Sequence, residues 1–176
     1  MPIFDRRGAR AALLALGLLV VAGCAARVTA VDRAELRVAG TRVTMVAPEG
    51  FCVDPVSVDV TRAGGFVLFG DCAVLNGEPP TGAAPVEGVL AASISAAPLP
   101  GSLTALGDFL ADGPGRVTLG RSGDVEAIRV LERVEQDGIL FLKIEDSGPS
   151  PIPGASPVFW RGFFEAGERV IIGTVN

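Results

Sequence analysis

Hydrophobic residues recur at alternate positions along much of the chain, and this period of two predicts half-buried β-strands. Asp137-Gly138 is a tight-turn signal, so the strands on either side of it are predicted to pair as a hairpin. We expect a mainly antiparallel sheet of about seven strands. The pattern places strands at residues 41–46, 51–53, 57–61, 66–69, 89–96, 127–135, 139–145, 158–165 and 169–175, with a further short one at 117–119.

One segment has helical spacing instead. Leu103, Leu106, Phe109 and Leu110 recur every three or four residues after Ser102, which is a typical N-cap residue. We therefore predict an α+β fold with one or two helices packed on the sheet. A small β-sandwich or barrel with a helical insertion is the alternative. No segment follows the strand at 169–175 to cover it, so that strand is expected to form an exposed edge unless another strand pairs with it.

The first residues have the order of a bacterial export signal. A short positive segment precedes an apolar run at residues 11–21, which is shorter than the roughly 20 residues that span a bilayer. Val21-Ala22-Gly23-Cys24 follows and resembles the bacterial lipobox. The resemblance implies cleavage before Cys24 and acyl chains, palmitate among them, on that cysteine. An uncleaved anchor helix with an incidental cysteine is the alternative.

The resemblance divides the chain into a signal peptide at 1–23, a tether at 24–37 and a single domain at 38–176. It also implies a location in the cell envelope, with the domain facing the periplasm and held to a membrane through lipid on Cys24. Ala25 replaces the aspartate that commonly retains lipoproteins on the inner membrane, so this residue favours the outer membrane.

Composition excludes several kinds of chemistry. The sequence has no His, which rules out a Ser-His-Asp or Cys-His mechanism and His-ligated metal sites within this chain. The formal net charge of -5 makes nucleic acid an improbable partner, because an acidic domain repels phosphate backbones. We expect no enzyme activity, no catalytic residue, no metal and no cofactor.

Cys52 and Cys72 are the remaining cysteines of the mature chain. In a compartment that permits disulfides they are expected to pair, closing a loop of about 20 residues that stabilises the fold by roughly 3 kcal/mol. Two buried free thiols or a redox-active pair are the alternatives. Residues 47–55 (APEGFCVDP) and 66–72 (FVLFGDC) resemble uncharacterised alphaproteobacterial envelope proteins, which implies the same disulfide and location. The order of elements is also similar to the Mog1/PsbP-type α-β-α sandwich.

A few polar and aromatic residues are candidates for a site. Trp160 and Arg161 are the leading pair for contact with a partner or ligand, although core packing is the default for the aromatic cluster around them. The other candidates each have a simpler structural interpretation. They are Asp54 with Asp71 as a cation site, Glu145-Asp146 with Glu132 and Glu135 as an acidic patch, Lys143 with Ser147 or Ser150 as a nucleophile, and the proline-rich loop at 149–153 as a recognition segment.

Two functions follow from these expectations. The first is a non-enzymatic envelope lipoprotein that acts through protein contacts. The second is a module that binds a small molecule or lipid in an apolar pocket between sheet and helix. A cavity of several hundred Å³ would favour binding of a ligand in the domain.

Overall fold

The computed structural model describes residues 29–79, 88–111, 114–121, 123–150 and 155–176. The predicted signal peptide, the lipobox and Cys24 lie outside these residues, as does most of the proline-rich loop. The described helices include none that is long and apolar enough to cross a membrane.

The main element is an eight-stranded antiparallel sheet. Seven of its strands follow the order β3-β5-β6-β10-β9-β8-β7, and the two-residue β4 pairs with β5. The predicted α+β class is confirmed, with a mainly antiparallel sheet and short helices. The strands are β3 (Phe51–Val53), β4 (Asp59–Val60), β5 (Gly64–Asp71), β6 (Leu90–Ser95), β7 (Ile128–Gln136), β8 (Ile139–Asp146), β9 (Val158–Ala166) and β10 (Arg169–Val175).

A separate hairpin precedes this sheet. It consists of β1 (Arg33–Val38) and β2 (Thr41–Val46), joined by Ala39 and Gly40 in left-handed conformations. The predicted tether at 24–37 is therefore too long, because the domain includes β1. Ala34, Leu36 and Val38 are buried at alternate positions, but the charged residues between them obscure this pattern in the sequence.

The two predicted hairpins are present. Asp137 and Gly138 both have positive φ angles, 52° and 76°, and join β7 to β8 in the expected tight turn. β9 and β10 pair around Gly167. The final strand is not an edge, because β6 pairs with the other side of β10, which is the exception that the edge prediction allowed. This pairing joins two strands that are far apart in the chain.

Each face of the sheet carries its own hydrophobic core. Residues paired across antiparallel strands share a face. Ile94, Ile171 and Phe164 are successive partners on what we call the hairpin face, which the β1–β2 hairpin partly covers. Leu142, Arg161 and Thr174 are successive partners on the opposite side, the helix face. The hairpin covers the β5–β6 half of the first face, and the helices cover the β8–β9 half of the second.

The helical elements are short. α1 (Cys72–Leu75) begins after Asp71, and α2 (Leu103–Ala111) begins after the predicted cap, where the Ser102 hydroxyl accepts from the N–H of Ala105 at 3.1 Å. A 3-10 helix, Pro114–Leu119, replaces the short strand predicted at 117–119 and buries Leu119 on the helix face. The strand predicted at 57–61 is also shorter, because only β4 pairs there.

The Cys52–Cys72 disulfide is present. Cys52 lies in β3 and is the register partner of Gly70, while Cys72 begins α1 directly after β5. The bond therefore joins β3 to the end of β5, the strand with which β3 pairs in the main sheet.

Candidate functional site

A cavity of about 470 Å³ lies between the hairpin and the main sheet, and we call it the hairpin groove. One wall is β2, through residues 43–46, and Phe164 of β9 stands on the other side. The floor is formed by residues 90–92 of β6 and by Ile171, Gly173 and Val175 of β10. Among the described residues, none that lines the groove is charged, and Thr44 and Thr174 are its polar lining residues. The cavity is of the size that binds ligands, but it lies between sheet and hairpin, not between sheet and helix as expected.

A pair of glycines leaves a gap between the side chains at the floor of the groove, where Gly173 lines the cavity and Gly162 is its neighbour on β9. Gly162 and Gly173 are direct register partners on β9 and β10 and both belong to the hairpin face. A Cβ atom added at Gly173 would meet nothing within 4 Å, and one at Gly162 would make only an ordinary contact, 3.4 Å from the Phe141 ring. The strands therefore tolerate side chains here, and the glycines leave space that another molecule can fill.

The wall of the groove is an unpaired strand edge within the described residues. Val38 and Thr41 close the two-residue turn and form a hydrogen-bonded pair, so the bonded positions of β2 alternate from there: Thr41, Val43 and Met45. The N–H and C=O groups of Arg42, Thr44 and Val46 consequently point away from β1. The two-stranded sheet has no further strand on that side among the described residues.

The groove opens to solvent at one end and joins a second cavity at the other. Val46 and Val175 stand at the open end and are 60% and 50% exposed, so the apolar lining of the groove reaches the protein surface there. The second cavity, about 450 Å³, shares Val43, Thr44 and Ile171 with the groove. Arg169 lies there and donates to Val38 and Thr41 of the hairpin and to β6, so its guanidinium holds the hairpin against the sheet.

The structure does not bring Trp160 and Arg161 together, because they point to opposite faces of β9. Trp160 lies on the hairpin face and is the register partner of Val175 and of Lys143. The Lys143 ammonium lies 5.6 Å from the centre of the Trp160 ring. The half-buried aromatic surface around Trp160 thus continues from the open end of the groove across β9 and β8.

Arg161 lies on the helix face beside a second arginine. The guanidinium groups of Arg161 and Arg121 are 5.5 and 5.3 Å from the centre of the Phe159 ring, and Arg161 donates to the Thr118 carbonyl at 3.2 Å. Burial, followed by repulsion from Arg121, lowers the pKa of Arg161. Arg161 therefore supports the packing of the 3-10 helix and lies away from the groove.

Asp146 is fully buried and does not belong to an acidic surface patch. Its carboxylate accepts from the N–H groups of Arg121 at 2.7 Å and Gly148 at 2.8 Å, and the Arg121 Nε lies 3.5 Å away. Burial raises the pKa of Asp146, but these two hydrogen bonds and the Arg121 charge outweigh it and leave that pKa below its usual value. Glu145 instead forms a surface ion pair with Arg129.

The other candidate residues have structural contacts. Asp54 accepts from the N–H of Val56 and Asp71 caps α1, which agrees with their interpretation as turn and cap residues. The Ser147 hydroxyl donates to the Ala127 carbonyl, and the Arg121 guanidinium donates to the Ser150 hydroxyl.

Comparison with known protein families, curated proteins and solved structures finds no match. The groove was not predicted from the sequence. Its one detectable signal is Gly162 and Gly173 inside two strongly patterned strands, since an isolated glycine in a strand often marks a close approach by another chain or ligand.

Proposed function

We propose that this is a non-enzymatic, lipid-anchored protein of the cell envelope that acts through protein contacts made in the hairpin groove. The observation that carries the proposal is the groove itself, a cavity of about 470 Å³ that the described residues line without a charged residue, beside a strand edge that none of their strands pairs with. Only four residues separate Cys24 from the first described residue, Thr29, so a lipid on Cys24 would hold the domain within about 20 Å of the membrane surface.

The strand edge favours a protein segment over a lipid as the occupant. An acyl chain would match the apolar floor, but it would cover the outward N–H and C=O groups of β2 without offering them hydrogen bonds. Each backbone group left buried without a partner costs about 1–3 kcal/mol. A peptide backbone satisfies these groups and covers the same apolar surface, so protein contact is the better supported function.

The anchor has its own test. Cys24→Ser should leave the precursor unprocessed and without acyl chains, because the serine hydroxyl is not a substrate for thioether formation. Mass spectrometry of the membrane fraction measures both changes, and Ala25→Ser, which keeps the cysteine, serves as the control. Normal maturation of the Cys24→Ser protein would contradict lipidation at this position.

Photo-crosslinking in cells that produce the full-length protein tests contact in the groove. A photoreactive residue at Ala166, an exposed position that lines the groove, should give a discrete protein adduct. Gly173→Leu should reduce the yield of the adduct at least about tenfold, because the new leucine side chain enters open space on the floor of the groove and occupies the partner's site. Ser93→Leu adds similar bulk to β6 on the helix face and should leave the yield unchanged.

Two results would contradict this function. One is an adduct that forms equally well in the Gly173→Leu protein, which would place the contact outside the groove. The other is mass-spectrometric identification of lipid adducts alone, which would make the groove a lipid-binding site.

A further inference from the structure

We infer that the partner's segment binds as an added β-strand, pairing with β2 and extending the β1–β2 hairpin to three strands. This inference rests on the proposed function and specifies how the partner is held.

The backbone of β2 sets the hydrogen bonds of the added strand. Arg42, Thr44 and Val46 present N–H and C=O groups at every second residue along the edge, which is the spacing at which a neighbouring strand pairs. In strand addition of this kind, main-chain hydrogen bonds provide the affinity and alternate side chains provide the specificity. An edge of six residues is long enough for it, since strands in proteins commonly have about five or six.

The surface below the edge has room for the added strand. The hairpin covers only the β5–β6 half of the hairpin face, and β2 ends above β10. A third strand beside β2 would lie over β10 and β9, above Gly173, Gly162 and Phe164 and next to Trp160. It would complete the second layer of a sandwich over surface that the described part of the chain leaves open.

The same geometry defines the chemistry of the partner. Its inward side chains should be apolar, with a large one above the Gly162–Gly173 pair, where the floor has no side chains. Its outward side chains lie beside Arg42, whose cross-strand neighbour is Arg37 and whose exposed guanidinium also lies 3.9 Å from the Glu35 carboxylate. Two adjacent arginines favour carboxylates opposite them. The partner is therefore an extended segment in which apolar and acidic residues alternate.

A proline at Thr44 tests the pairing directly. The N–H of Thr44 points away from β1, so Thr44→Pro keeps the hairpin bonds but removes one donor from the free edge and places a ring there. Thr44→Val keeps the N–H and is the matched control. The probe is a blocked synthetic peptide of about six residues, the usual strand length, in which Val and Glu alternate. A peptide of the same composition with its Val and Glu residues in two blocks is its control.

The full-length lipidated protein in lipid nanodiscs should bind the alternating peptide and not the block peptide. Thr44→Pro should weaken binding at least about fivefold, the loss expected for one hydrogen bond, and Thr44→Val should not. A strand paired along one edge uses only every second N–H for that pairing. N-methylation of the peptide should therefore weaken binding at one set of alternate residues and not at the intervening residues. This measurement uses the unmutated protein, so it does not depend on whether a variant folds.

Equal binding by the Thr44→Pro and Thr44→Val proteins, uniform effects of N-methylation, or no binding of the alternating peptide would overturn strand addition. The proposed function would survive each of these results if the Ala166 crosslink still depends on Gly173. A crosslink at Ala166 that does not depend on Gly173 would instead contradict the proposed function.

Discussion

Replacing Asp146 by Ala should lower the free energy of unfolding by about 3–5 kcal/mol, the usual loss when one member of a buried ion pair is removed. The Asp146 side chain has no exposed surface, and it accepts hydrogen bonds from two backbone N–H groups and lies beside the Arg121 guanidinium. Its removal leaves those groups without an acceptor at the end of β8. Urea denaturation of the mature protein at neutral pH measures the loss.

The pH dependence of stability provides a second observation on Asp146. The pKa of Asp146 is lower in the folded state than the value of about 3.9 that it has in the unfolded chain. The ionised carboxylate therefore stabilises the fold fully above about pH 3.9, and this stabilisation is lost as the pH falls through the lower pKa of the folded state. Asp146→Asn cannot ionise and places an amide N–H₂ against backbone donors. This variant should already be destabilised at neutral pH and should lose less stability than the wild type on acidification below about pH 4.

Glu145→Gln is the control for both measurements. Glu145 is the neighbouring carboxylate, and its partner Arg129 is largely exposed, so the loss should not exceed about 1 kcal/mol. Equal losses of unfolding free energy in the Glu145 and Asp146 variants would contradict a large contribution from the buried Asp146 carboxylate.

Removing the disulfide should cost about 3 kcal/mol, the value expected when a loop of this length is no longer closed in the unfolded chain. Cys52 and Cys72 are 20 residues apart, and their bond ties β3 to the end of β5. The double variant Cys52→Ala, Cys72→Ala should unfold at a lower urea concentration than the oxidised wild type. Urea denaturation with and without a reductant measures the difference.

The reductant itself supplies the control. It should destabilise the wild type and leave the double variant unchanged, because that variant has no bond to reduce. A wild type that is insensitive to complete reduction, verified by thiol titration, would contradict the predicted stabilisation.

The strands and turns with strong local signals could be predicted from the sequence. The Asp137-Gly138 turn, the Ser102 cap and the alternation in β8 and β9 are each set by a few neighbouring residues. β1 was missed because arginines and a glutamate fill its outward positions, so its apolar residues did not stand out and most of the strand was assigned to the predicted tether.

The groove could not be predicted because it depends on contacts between distant parts of the chain. Its wall comes from residues 43–46 and its floor from residues 90–92 and 171–175, which only the pairing of β6 with β10 brings together. Trp160 and Arg161 were singled out as one site, although alternation sends them to opposite faces. Trp160 lies near the groove because Val175 happens to be its partner across β9 and β10.

Amide hydrogen exchange resolved residue by residue tests most directly whether a partner strand occupies the hairpin groove. In the protein alone, the amides of Arg42, Thr44 and Val46 should exchange quickly, whereas Val43 and Met45, which bond to β1, should exchange slowly. Addition of the alternating Val–Glu peptide should slow exchange at Arg42, Thr44 and Val46 at least about tenfold. Unchanged exchange at these three amides, with new protection around α2 or β7 instead, would contradict the account.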